Sequence, residues 1–274
     1  MPRLTTSLLK QSSSSGRWLT RQRDDPFVRA RAVAEGNTET LYRSRSSFKL
    51  NSLAKKYPCL LPRGGLVLDL GAAPGGWSQV AAPKVGSRGR VVALDLLPIL
   101  PISKNVTILQ GDFLSPSIQE ELAAVIAGST TLRSEQPISQ RDAHFSEDTR
   151  TSLEPSLQRV DSILSDMMAN MSGIRARDIE ASLELCETAL RFARGRLKTG
   201  LTKSHAEDGE GKKVLALRDY KGNMLMKFFQ HPLLADFKKT QLEPVFEKVA
   251  VEKPKESRSE SSEAYFVCLG YRGD

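Results

Sequence analysis

Residues 69 to 77 read Asp-Leu-Gly-Ala-Ala-Pro-Gly-Gly-Trp, directly after the apolar run Leu66-Val67-Leu68 and leading towards a helix. Glycines at the carboxyl end of a buried strand let backbone amides close on a ligand. The spacing is G-x-x-x-G-G, not the G-x-G-x-x-G that seats a dinucleotide pyrophosphate, and the Lys and Ser/Thr of a phosphate-binding P-loop are missing. That points away from NAD and ATP. An acidic residue before a small turn suits a ligand carrying positive charge, such as the amino-acid end of S-adenosylmethionine. A tight strand-to-helix connection makes the same pattern, so the turn alone leaves both readings open.

Other acidic residues follow other apolar runs. Asp95 closes Val91 to Leu94, Asp112 follows Val106 to Leu109 in Gly111-Asp112-Phe113, and Asp166 follows Ile163-Leu164. A carboxylate at the end of the second strand accepts two hydrogen bonds from a ribose 2′,3′-diol, and Asp112 is placed to accept from an adenine amino group. Each position also suits a helix N-cap or a turn. Three in succession favour the nucleoside ligand. Lys227 lies in the otherwise apolar Met224-Leu225-Met226-Lys227-Phe228-Phe229, where an unpaired charge is costly. Its alternative is an outward-facing position on a strand with one wet face.

Ser-rich 44 to 47 can cap a helix with apolar stripe Leu50, Leu53, Ala54 and Tyr57, Lys49 at its edge, stopped by Pro58. Further helices are predicted over Ser117 to Ile126, Ile179 to Arg194 and around Leu233 to Leu242, with a strand over Met224 to Phe229. Glu247 to Val251 and Ala264 to Leu269 read as an antiparallel hairpin at a sheet edge. Short buried strands alternating with crossovers predict an α/β fold, a doubly wound, Rossmann-like, mostly parallel sheet whose ligand crevice lies beyond the strands' carboxyl ends. Asp69, Asp95, Asp112 and Asp166 converge on that edge. Residues 128 to 158 and 198 to 221 are polar and aperiodic and read as mobile surface insertions.

At 274 residues the chain can bury a sizeable core, and its 39% hydrophobic fraction implies that part of the length stays outside it. No apolar run approaches the roughly 20 residues that cross a bilayer. Cys59, Cys186 and Cys268 are odd in number, dispersed and in apolar contexts, which fits reduced core residues and a reducing compartment. His144, His205 and His231 form no ligand pair at helical spacing, so neither a metal site nor a Ser-His-Asp triad is expected. Of the net charge of +8, five positive charges fall in residues 1 to 23 without an acidic partner, leaving +3. That stretch, rich in Ser and Thr with Leu8, Leu9, Trp18 and Leu19 interspersed, has the composition of a mitochondrial transit peptide; a nucleic-acid-binding arm is the alternative. A basic extension over 24 to 43 precedes the domain at 44 to 274. The excess of Arg and Lys over 29 to 57 is able to track phosphates, although a solvated face has the same composition.

The blocks DLGAAPGGWSQV (69 to 80), ALDLLP (93 to 98), LQGDF (109 to 113), SDMMANMSG (165 to 173), MKFFQ (226 to 230) and SEAYFVCLG (262 to 270) occur in order. Over roughly residues 40 to 270, apart from the two insertions, the chain resembles the FtsJ/RrmJ family of ribosomal-RNA 2′-O-ribose methyltransferases. The resemblance implies S-adenosylmethionine as cofactor, seated by Asp69, Gly71, Ala73, Pro74, Gly75, Gly76 and Trp77, then by Asp95, Asp112, Phe113 and Asp166. It also implies a catalytic tetrad of Lys49, Asp166, Lys227 and Glu263. Methyl transfer to a ribose 2′-hydroxyl is an in-line displacement by a poor nucleophile that must be aligned and deprotonated. A lysine does this only as the neutral amine, which partial burial and the neighbouring Lys49 ammonium would favour in Lys227. Asp166 would hold the Lys227 amine near the transferred methyl, and Glu263 would orient the lysines and ribose.

Arg43 and Arg45, beside Lys49, would position the RNA by its phosphates. One departure stands out: the family's usual Met-Ala-Pro-Asn is here Met167-Met168-Ala169-Asn170, which frees the loop from a proline. The implied substrate is a uridine in the A-loop of mitochondrial large-subunit rRNA, as naked RNA or in the assembling large ribosomal subunit, acted on by a monomer in the matrix without a metal. Two rivals remain at this point: a ribosome-assembly factor that binds rRNA with an inactive site, and a 2′-O-methyltransferase of tRNA or of an mRNA cap.

Overall fold

The computed structural model describes residues 42–128, 159–169, 172–200, 206–207, 213–214, 217, 220–257 and 261–273. The expected leader, the basic extension up to residue 41 and residues 129–158 of the first insertion lie outside them.

Alternation along the central strands sorts side chains to two faces. In β1 (Leu66–Leu70), Leu66, Leu68 and Leu70 pack with α3 (Pro116–Ala127) and α4 (Arg175–Ala193). Val67 points the other way, into the core under α1 (Ser46–Lys56) and α2 (Gly76–Val85). Covered on both faces, β1 reads as an unbroken apolar run interrupted only by Asp69.

The remaining strands are β2 (Arg90–Asp95), β3 (Val106–Gln110), β4 (Ser162–Ser165), β7 (Asn223–Phe229), β8 (Phe246–Glu252) and β9 (Glu263–Tyr271). A separate antiparallel pair, β5 (Ala206–Glu207) with β6 (Lys213–Val214), falls within the second predicted insertion. The seven-stranded sheet has the order β3-β2-β1-β4-β7-β9-β8. It is parallel through β7, and β9 enters antiparallel between β7 and β8. The doubly wound sheet with its C-terminal hairpin is therefore as expected.

Three local expectations change. The serines at 44 to 47 do not cap α1 through their side chains; Arg45 occupies the N-cap position. Ser44 and Ser47 instead pack against Gly76, where an added Cβ would lie 2.1 Å and 2.5 Å from their Oγ atoms. The single helix expected near 233 to 242 is α5 (Pro232–Phe237), capped by the His231 ring, followed by a π-helical turn over Lys238–Leu242 that delivers Leu242 fully into the core. Lys198, placed by sequence in the second insertion, belongs to the domain: its N–H donates to the Val160 carbonyl, and its Nζ lies 2.7 Å from Asp161 Oδ1. The three cysteines are buried and free, as their apolar contexts predict.

Candidate active site

The sheet explains how residues far apart in sequence come together. In β7 and β9, Leu225 and Tyr265 point to the α1/α2 face, and strand alternation sends Lys227 and Glu263 the same way. Cross-strand pairing sets Lys227 directly opposite Tyr265. Ser165, the last residue of β4, pairs with Met226, so Asp166 follows immediately beside Lys227. Lys49, on α1, approaches from above that face.

These side chains form two ion pairs joined by a phenol. Lys49 Nζ lies 2.5 Å from Glu263 Oε1, and Lys227 Nζ lies 3.0 Å from Asp166 Oδ1. Lys227 Nζ also donates to the Asp166 backbone carbonyl. The Tyr265 hydroxyl lies 3.0 Å from Asp166 Oδ1 and 3.4 Å from Glu263 Oε1, so its single proton is shared between the pairs. Ser257 Oγ donates to Glu263 over 3.1 Å. Burial alone would raise the Glu263 carboxyl, but the charge and hydrogen bond of Lys49, then Lys227 and Ser257, hold it below the ordinary range. Burial, reinforced by Asp166 and Glu263, pushes the Tyr265 phenol well above its usual value, which keeps it a donor.

All four expected tetrad residues meet, but each lysine faces a carboxylate rather than the other lysine. The side chain missed by sequence reasoning is Tyr265. Its signal was available: in a strand, the residue two after Glu263 shares its face.

The glycine turn lies alongside, beneath the same face. Gly71 adopts φ +75°, and a Cβ there would sit 2.8 Å from the Met167 backbone, which closes the loop after β4 onto the turn. Gly71 and Ala72 donate to the Leu94 carbonyl, binding the turn to the end of β2. Asp95 Oδ2 accepts from Ala73 N–H at 2.8 Å and Oδ1 from Leu97 N–H at 2.8 Å. Asp69 is fully buried within β1; Ser78 Oγ donates to its Oδ2 at 2.6 Å, while Oδ1 is buried without a hydrogen-bond partner. Burial raises its pKa to about 7, the Ser78 hydrogen bond opposes this, and the charges of Asp166 and Asp95 add to the rise. An acidic set with lone pairs still unspent fits a ligand bearing an ammonium group and hydroxyls.

Several expected contacts are corrected. Arg43 is not placed to bind phosphate: NH1 donates to the carbonyls of Leu100 at 2.7 Å and Pro74 at 3.3 Å, and NH2 to Pro101 at 2.6 Å. Arg45 reaches towards the β8–β9 connection, with NH2 3.4 Å from the Glu256 carbonyl. Trp77 is 2% exposed; its Nε1–H donates to Ser46 O and its ring packs on Tyr265, so it ties α2 to α1 rather than facing a ligand. The Phe113 ring packs edge-on against Phe192 in the opposite core. Asp112 is exposed, with Oδ1 accepting from Leu114 N–H in a local turn. Ala169, at the position of the family's proline, is half-buried, and Met168 before it is 52% exposed.

Over most of its length the chain is similar to known proteins. The chain is 36% identical over 264 residues to the ribosomal RNA large subunit methyltransferase E of Azoarcus sp. (strain BH72), an alignment covering 96% of this chain and 100% of that protein. The protein of the same name from Rhodopseudomonas palustris (strain BisA53) is 38% identical over 263 residues, covering 95% of this chain and 86% of the relative. In fold, the chain matches the crystal structure of a Plasmodium falciparum protein titled a ribosomal RNA methyltransferase, with a TM-score of 0.58 at 22% identity, over 85% of this chain and 100% of that one. With residues 42–271 matching the family as well, the chain belongs to the FtsJ-like methyltransferases.

Proposed function

We infer that this protein is an S-adenosylmethionine-dependent ribosomal-RNA methyltransferase that modifies a ribose 2′-hydroxyl, and that its target is a uridine in the A-loop of mitochondrial large-subunit rRNA. The observation that carries this reading is the cluster of Lys49, Asp166, Lys227 and Glu263, drawn from four segments onto one face beside the glycine turn. The names of the bacterial relatives supply the large-subunit rRNA. The composition of residues 1 to 23 supplies the mitochondrion.

The bound donor would supply a methyl group on a sulfonium, transferred as the new oxygen–carbon bond forms and the sulfur–carbon bond breaks. The turn from Gly71 to Gly76, with Asp69 and Asp95, would hold it. Lys227 Nζ would accept the proton that the 2′-oxygen gives up, once it has released one of its own. Asp166 fixes Lys227 through both its carboxylate and its backbone carbonyl, so the amine approaches from one direction. Glu263 holds Lys49 at the rim, leaving that ammonium to orient the ribose. Because attack on a cationic sulfonium dissipates charge, alignment outweighs any anion-stabilising hole.

Ribose-methylation mapping of mitochondrial rRNA in a deletion strain tests the whole reading. One unmethylated large-subunit uridine, restored by the intact gene and not by Lys227→Ala, is the expected result. Unchanged rRNA with a lost methyl on tRNA or an mRNA cap would redirect the substrate. Failure of the purified protein to methylate any precursor rRNA or ribosomal particle would remove the enzymatic reading.

A further inference from the structure

Arg43 has no part in the tetrad and, as its contacts show, is turned away from a phosphate-binding role. It sits before α1, yet its guanidinium reaches two segments that are separate in sequence. NH1 bonds the Pro74 carbonyl of the glycine turn and the Leu100 carbonyl of the β2–β3 connection; NH2 bonds Pro101 in the same connection. Arg43 is itself anchored, because its backbone N–H donates to Gln79 Oε1 on α2 at 2.9 Å. Gly75, at φ +109°, leaves room for this approach: a Cβ there would lie 3.0 Å from Arg43 NH1.

The connection being held has little core of its own. Leu96 and Leu100 are 63% and 76% exposed, and Ile99, at 9%, is its one buried apolar side chain. Two devices therefore join it to the turn. Asp95 acts from within, accepting N–H groups from Ala73 on one side and Leu97 on the other. Arg43 acts from outside, donating to carbonyls on both sides. Acidic acceptor and basic donor use the two complementary halves of the backbone. Burial lowers the Arg43 pKa, as expected of a guanidinium withdrawn among carbonyls.

We propose that Arg43 is a positioning residue for the methyl donor: its planar fork sets the separation between the glycine turn and the Leu96–Pro101 connection, the two walls between which the donor's nucleoside is held. The proposal rests on the S-adenosylmethionine reading above. A lysine ends in one rotating nitrogen, so it loses the second prong on Pro101 and the rigid plane that fixes the other two contacts, whereas at a phosphate it replaces arginine's charge well enough to keep most of the binding.

The purified full-length chain, Arg43→Lys and Arg43→Ala are titrated with S-adenosylmethionine and S-adenosylhomocysteine by calorimetry. Their kcat and KM for donor and for RNA, and the salt dependence of RNA binding, are then measured. Losing charged hydrogen bonds to the crevice walls should weaken donor binding about tenfold in both variants alike, with kcat at saturating donor kept within about twofold. RNA affinity and its salt slope should not move. The proposal is overturned if donor affinity is unchanged in either folded variant, or if Arg43→Ala lowers the salt slope by about one while Arg43→Lys restores RNA binding, the signature of a phosphate contact. Should Arg43→Ala melt below the assay temperature, Arg43→Lys decides alone. A wild-type chain that binds neither compound overturns the donor reading itself and the proposal with it, whereas wild-type binding with unaffected variants overturns the proposal only.

Discussion

Around the glycine turn, contacts are short in sequence and made by backbone: Gly71 and Ala72 N–H to Leu94 O, Ala73 and Leu97 N–H to Asp95. At the tetrad they are long in sequence and made by charged tips, with Lys49 and Glu263 separated by 214 residues and Lys227 and Asp166 by 61. The first region depends on residues that lack bulk, the second on residues that carry charge. A substitution in the turn is therefore expected to disturb shape and binding, and one in the tetrad to disturb rate.

The largest test of that division is Lys227→Ala. Removing the proposed general base should cut kcat by about 10²- to 10⁴-fold while donor affinity stays near wild type; loss of donor binding in calorimetry would show that the two regions are not separable. Gly71→Ala attacks the other side. A positive φ costs an L residue about 1–2 kcal/mol, and overlap with the Met167 backbone adds about 1–3 kcal/mol, so urea unfolding should show a loss in that combined range together with weaker donor binding. Unchanged stability would mean that the loop after β4 yields easily.

Tyr265→Phe probes the link between the ion pairs. Deleting one shared hydroxyl should lower kcat about tenfold, leave donor affinity intact and shift the pH–rate profile, because Asp166 and Glu263 each lose a donor. A fall in stability with an unmoved pH profile would assign the phenol to packing alone.

The last test reads stability against pH rather than rate, at Asp69. Burial lifts its folded pKa to about 7, above the ordinary aspartate value of about 4, so between those values the native state holds a proton that the unfolded chain has released. Stability from this group is greatest below the lower value and declines as pH rises through the upper one. Asp69→Asn should therefore gain relative to wild type between pH 5 and pH 8, by a few kcal/mol at most. The same stability difference at both pH values would argue against the buried, half-satisfied carboxylate.

The same contrast decides what the sequence discloses. The turn was legible because its shape is written in contiguous residues, and β1 begins where the apolar run Leu66-Val67-Leu68 begins and continues to Leu70. The tetrad became legible through the family blocks, since nothing local to Lys49 announces a partner more than two hundred residues away. Arg43 and Trp77 were misassigned for a physical reason. An arginine in a basic run has the same neighbours in sequence whether it meets phosphates or carbonyls, and an aromatic at the end of a motif reads the same whether it stacks on a ligand or a helix. Only the fold separates these cases.

β9 carries the consequence furthest. It is synthesised after every other strand described, yet it must insert between β7 and β8 and supplies both Glu263 and Tyr265. The proposed donor crevice takes its lining from the segment between Arg43 and the loop after β4, so that lining is synthesised well before the tetrad is complete. Because Tyr265, Val267 and Leu269 of β9 also complete the core beneath α1 and α2, the insertion of one antiparallel strand would finish the fold and the proposed tetrad in the same event.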